Sequence, residues 1–142
     1  MANHLSDIEI ELLHAAAKDV GRDIGARLVV LFGSVARGEP APADLDIAVL
    51  PAKGDSLDCI AFTNRLIQAV SVQSVDVSDL SHAEPVLMML VARDGIPLYE
   101  AEPGEFALFA SLAARRFADT RKFRVAEHQE IHDYLAERRT AT

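Results

Sequence analysis

At 142 residues the chain has the usual size of one domain built on one core, so a single unit over residues 1–142 is expected. Half of the residues are hydrophobic and a quarter charged, which excludes a disordered chain; with no Trp and 6% aromatic content, the core must be built from Leu, Ile, Val and Ala. A net charge of −8 argues against direct binding of duplex nucleic acid, which needs a basic face, but is compatible with a metal-neutralised nucleotide or a basic protein partner.

The opening MANHLSDIEIELL has no basic stretch leading into an apolar one, so no signal peptide is read. The longest unbroken apolar run, Val86 to Ala92, is seven residues, too short for a membrane span; the cytoplasm is the expected compartment, without membrane association. The single cysteine, Cys59, has no internal disulfide partner and reads as a small core residue.

In chain order, Ser6 is placed to cap a first helix. Leu5, Ile8, Leu12, Ala16 and Val20 recur along it at helical spacing, and Gly21 marks its end. Leu28 to Phe32 (LVVLF) reads as a buried strand running into a tight turn at Gly33, and GEPAPAD as a loop. Leu45 to Leu50 (LDIAVL) is a second strand, closed by Pro51 and Gly54. Asp55 or Ser56 then caps a helix carrying Leu57, Ile60, Ala61, Leu66, Ile67 and Val70.

Val75 to Val77 alternates as a third strand. A helix over Ala83 to Arg93 follows, with Pro85 in its first turn and a continuous VLMMLV stretch that implies burial on most sides. Ile96 to Tyr99 is a candidate fourth strand, and Phe106, Phe109, Ala113 and Phe117 mark a helix after Gly104. This order predicts an α/β or α+β fold, with a core over about residues 24–100 and a helical segment over about 104–138.

The chemistry concentrates in VVLFGSVARGEPAPADLDIAVL, residues 29–50. Gly33 lets backbone approach a ligand, and the amides after it, with the Ser34 hydroxyl, make a donor cluster suited to phosphate oxygens. Arg37, one turn on, could reach the same phosphates. Asp44 and Asp46 stand two apart on a strand, so their side chains leave one face about 6.6 Å apart at the backbone. Such a pair repels itself unless solvated or neutralised, and a hard divalent cation does that best. Asp76, between Val75 and Val77, adds a third strand-borne carboxylate. A phosphate-binding turn with three carboxylates on rigid strands suits phosphoryl transfer.

Gly33-Ser34, a short spacer, Asp44-Leu45-Asp46 and a later strand Asp resemble the DNA-polymerase-β-like nucleotidyltransferase superfamily. With SVDVSDL and VARDGIPLYE, the chain is most similar to its minimal members, such as the MntA-type antitoxins that pair with a HEPN-domain toxin. The resemblance implies a polymerase-β-like fold, a small mixed sheet with helices mainly on one face. It implies two Mg²⁺ ions on Asp44, Asp46 and Asp76, with Asp76 also the base, and ATP as the AMP donor. The implied acceptor is a Tyr hydroxyl of the HEPN toxin. Nine residues separate Ser34 from Asp44, and Ala43 stands where many members carry Ser, so the triphosphate loop departs from the family pattern while the catalytic groups remain.

Other readings stand beside this one. A Gly-Ser turn alone is a turn, and Asp-Leu-Asp alone a solvated strand start. GSVARGE approaches a Walker A loop, but Glu39 and Pro40 occupy the Lys and Ser/Thr positions. His128, Glu130 and His132 lack the H-E-x-x-H order and read as a solvated helix face; Asp79 and His82 read as a turn or cap. Arg115, Arg116, Arg121, Lys122 and Arg124 form either a solvated face or a docking surface for a partner or for phosphates. An aminoglycoside-type small-molecule transferase and a non-catalytic partner that masks the toxin are the alternative functions.

Overall fold

The computed structural model describes residues 7–38, 45–70 and 74–140. Helix α1 (Asp7–Ile24) leads into β1 (Leu28–Phe32), a four-residue helical turn α2 (Gly33–Ala36), β2 (Leu45–Leu50) and α3 (Cys59–Ala69). Then follow β3 (Val75–Asp79), a 3-10 turn (Leu80–His82), α4 (Pro85–Asp94), β4 (Ile96–Glu100), α5 (Glu105–Asp119) and α6 (Arg121–Thr140). The strands form one sheet in the order β3-β2-β1-β4. β1 is antiparallel to both β2 and β4, and β2 is parallel to β3, so the sheet is mixed. No helix among the described residues is long and apolar enough to cross a membrane.

Side chains alternate across a strand, and both faces of this sheet are apolar at its centre. Val29, Leu31, Leu45, Ile47 and Val49 meet Leu13, Ala16, Ala17 and Val20 of α1 and Phe62 and Leu66 of α3. Leu28, Val30 and Ala48 meet Met88 and Val91 of α4 and Phe109 and Ala113 of α5. The helices therefore divide between both faces rather than lying mainly on one.

Several helical details differ from the sequence expectation. The Ser6 cap and most of the GEPAPAD loop lie outside the described residues. α1 buries Leu13, Ala16, Ala17 and Val20, leaving Leu12 half exposed, and runs past Gly21 to Ile24. Gly21 lies inside the helix with the Tyr99 ring over it, so its missing side chain makes room for that ring; a Cβ there would sit 2.5 Å from Tyr99 Cδ1.

α3 is capped by Asp58, whose Oδ1 accepts from the Ala61 N–H at 3.0 Å, rather than by Asp55 or Ser56. It buries Phe62 and Leu66 and leaves Ile60 exposed. Asp58→Ala should lower stability by about 1 kcal/mol, the usual cost of losing an N-cap, in urea denaturation. No change would mean that the α3 N-terminus is satisfied another way. α4 is amphipathic rather than buried all round: Met88 and Val91 are buried while Val86 and Leu90 are exposed.

The last helix of the sequence reading is two. The Thr120 hydroxyl donates to the Arg116 and Phe117 carbonyls, and Arg124 donates to Thr120 Oγ1 and the Phe117 carbonyl while stacking on the Phe117 ring. This junction ends α5 and starts α6 without a Gly or Pro.

Candidate active site

The register of β2 decides which residues share a surface. Leu45, Ile47 and Val49 point to the α1/α3 side, so Asp46 points to the other, with Ala48. On β3, Val75 and Val77 pack on the α1/α3 side, so Asp76 also belongs to the opposite face. In the parallel pairing Asp46 stands directly beside Asp76, and across the antiparallel pairing it stands beside Phe32. Two carboxylates thus occupy neighbouring positions on one face, at a strand spacing of about 4.8 Å. Asp44 lies outside the described residues.

Gly33 follows Phe32 at the end of β1, with φ +77, a backbone conformation that a side chain disfavours. A Cβ there would sit 2.2 Å from Asp46 Oδ2. The missing side chain is therefore the space the Asp46 carboxylate occupies. Ser34 is the second residue of the helical turn α2, which closes through Arg37 N–H donating to the Gly33 carbonyl at 3.1 Å. The first amides of a helical turn have no acceptor within it. The expected tight turn is thus one turn of helix, starting beside the Asp46 carboxylate.

Arg37 follows that turn, and its Nη1 lies 3.6 Å from Asp94 Oδ2. Asp94 is also gripped in a fork by Arg93, Nε on Oδ1 at 3.0 Å and Nη2 on Oδ2 at 2.9 Å. The Arg93 hydrogen bonds, opposed by desolvation and aided by the charges of Arg93 and Arg37, hold the Asp94 carboxyl below its ordinary range. Sequence spacing did not point to Asp94, whose second cationic partner, Arg37, is on a distant element.

A hard divalent cation fits the donor set, since Asp46 and Asp76 offer only carboxylate oxygens from adjacent strands. Among the described residues no third His, Cys, Asp or Glu joins them.

The remaining candidates have other work. Asp79 Oδ1 accepts from the Ser81 N–H and hydroxyl at 2.9 and 2.6 Å, so it caps the 3-10 turn as expected. His128 and His132 are exposed on α6. In the basic cluster Arg116 rests on Met88 Sδ and Arg124 belongs to the Thr120 junction. Cys59 is partly buried at the start of α3 rather than in the core; burial, then Asp79 and Asp58, push its thiol up, away from the reactive thiolate.

A family model described as polymerase beta, nucleotidyltransferase matches residues 21–103, which span the whole sheet and its turn. The chain belongs to the polymerase β nucleotidyltransferase family. Among relatives of this nucleotidyltransferase, the protein adenylyltransferase MntA of Aphanizomenon flos-aquae (strain 2012/KM1/D3) is 28% identical over 120 residues, covering 77% of this chain and 80% of that one. A chain from a toxin–antitoxin crystal structure with AMP-PNP superposes at a TM-score of 0.66 with 29% identity, covering 87% of this chain and 98% of that one. A chain from the structure of tri-AMPylated Shewanella oneidensis HEPN toxin in complex with MNT antitoxin gives 0.63 and 30%, covering 89% and 98%.

Proposed function

We propose that this nucleotidyltransferase moves AMP from ATP to a Tyr hydroxyl of a HEPN-domain toxin, acting as the antitoxin of the pair in the cytoplasm. The observation that carries the reading is the in-register pair Asp46 and Asp76 beside the Gly33-Ser34 turn. The named relatives, an adenylyltransferase and chains from toxin–antitoxin complexes, support the acceptor.

In this reading residues 1–142 act as one domain, with the core over about 24–100 and a helical segment over about 104–138. Ser34 and the amides following Gly33 hold the outer phosphates, and Arg37 binds them as a cation. Asp44, Asp46 and Asp76 would hold divalent cations, two Mg²⁺ ions in the full site. Bound there, the metal supplies charge neutralisation and polarisation of the α-phosphate. Asp76 accepts the proton of the acceptor hydroxyl as its oxygen bonds to the α-phosphorus. The bond to the bridging oxygen breaks and pyrophosphate leaves, its charge met by Arg37 and the turn.

The test is co-expression with a HEPN-domain partner, followed by intact-mass analysis of that partner. The expected result is a gain of one or more AMP units, on Tyr, that disappears with Asp46→Asn. A partner neutralised without gaining mass would replace this reading with masking. Labelling of a small hydroxylated compound in the absence of any protein acceptor would replace it with an aminoglycoside-type activity.

A further inference from the structure

The sheet fixes where α4 delivers its last residue. Ile96 pairs with Leu31 next to the end of β1, and Gly95 closes α4 by donating to the Val91 carbonyl at 2.8 Å. Asp94, two residues before Ile96, is thereby carried to the Gly33–Arg37 turn. Its side chain is only 16% exposed, against 42% for Arg37 and 65% for Arg93. A carboxylate in such a shielded place, engaged by two guanidiniums, is a fixed point against which the more exposed Arg37 guanidinium is oriented.

We propose that Asp94 is a positioning residue that fixes the Arg37 guanidinium beside the nucleotide turn, so that it meets the outer phosphates of a nucleoside triphosphate. The inference rests on the phosphate-binding reading of Arg37. The fork from Arg93 locks both carboxylate oxygens in place, and Oδ2 then faces Arg37 Nη1. A guanidinium is a planar fork whose donors match phosphate oxygens in a limited set of orientations. Anchoring one of its nitrogens restricts that plane before the nucleotide arrives and lowers the ordering cost of binding. Without the Asp94 contact the guanidinium loses one of the restraints that select this orientation, and its set of rotamers widens.

The experiment measures binding of ATP and of AMP by calorimetry in Mg²⁺ for the full chain, with transfer rates alongside. The variants are Arg37→Ala, Asp94→Asn, Asp94→Glu and the double variant Arg37→Ala/Asp94→Asn. Asp94→Asn should weaken ATP binding by about tenfold, the scale of coupling between groups in one ion-pair network, and leave AMP binding unchanged. It should have little further effect once Arg37 is gone, and Asp94→Glu should recover part of the loss. A merely structural role would weaken ATP and AMP alike and would add to Arg37→Ala; either result overturns the proposal. If Arg37→Ala weakens ATP but Asp94→Asn does not, Asp94 has no positioning role and the phosphate reading of Arg37 survives. If Arg37→Ala leaves ATP binding intact, that reading fails and this proposal falls with it.

Discussion

Asp46→Asn should lower AMP transfer by about 10³-fold or more, the scale of removing one preorganised electrostatic group from a transition-state site. The carboxylate stands in register with Asp76 and fills the space beside the Gly33 backbone, so its loss removes one of the two strand carboxylates paired there. Asn keeps the shape and loses the charge. The variant should therefore stay folded, with a thermal midpoint in EDTA that is unchanged or slightly raised by the relief of carboxylate repulsion. ATP titrations should show Mg²⁺-dependent binding in the wild type and a much weaker metal effect in the variant. Equal ATP affinity in Mg²⁺ and in EDTA for the wild type would end the metal-site reading, and full transfer by Asp46→Asn would remove Asp46 from the chemistry.

Gly33→Ala should be almost as damaging, by a different route. At φ +77 a Cβ carries a backbone cost of about 1–2 kcal/mol. At this position it would also meet Asp46 Oδ2 at 2.2 Å, so the carboxylate must move. A displacement of about 1 Å at reacting groups can cost about 10²-fold in rate, and that is the loss expected here. Thermal melting should fall together with transfer. An alanine variant within a few-fold of wild-type activity would mean that the carboxylate need not stand where Gly33 lets it stand.

The strands were the most legible part of the sequence. LVVLF and LDIAVL carry apolar residues of both parities between breakers, and they form β1 and β2 with the expected limits. The same two-sided apolar character was the available sign that helices would cover both faces, since a sheet solvated on one side would alternate. Helix phase was less legible. In α1 the run around Leu12 and Leu13 satisfies two helical stripes, and only packing against Val29 and Ile47 selects the one through Leu13. In α3 the stripe through Phe62 won over the one through Ile60. The α5–α6 break was invisible because Thr120, Phe117 and Arg124 make it with side chains that also suit a helix interior.

In the site, the residue types and spacing pointed to the chemistry, and the sheet register added the neighbourhood. Asp76 reads from sequence as one more strand carboxylate; the parallel pairing puts it beside Asp46. The Arg37–Asp94 contact had no local signal, because a fold-level register brings those two residues together.

The parallel pairing of β2 with β3 bears on how this chain tolerates change. Parallel neighbours need a long crossover, here α3 and its flanks; α3 is held by its buried Phe62 and Leu66, so change in length is cheap only in the loops that flank it, as long as β3 docks in the same frame. The frame itself is held by Val75 and Val77, which seek the apolar side. A slip of β3 by one residue would turn Asp76 into the α1/α3 side of the core and Val77 toward the face that carries Asp46. The half-buried valines of β3 thus keep Asp76 beside Asp46, and the chain can vary the flanks of the crossover only while these two positions remain apolar.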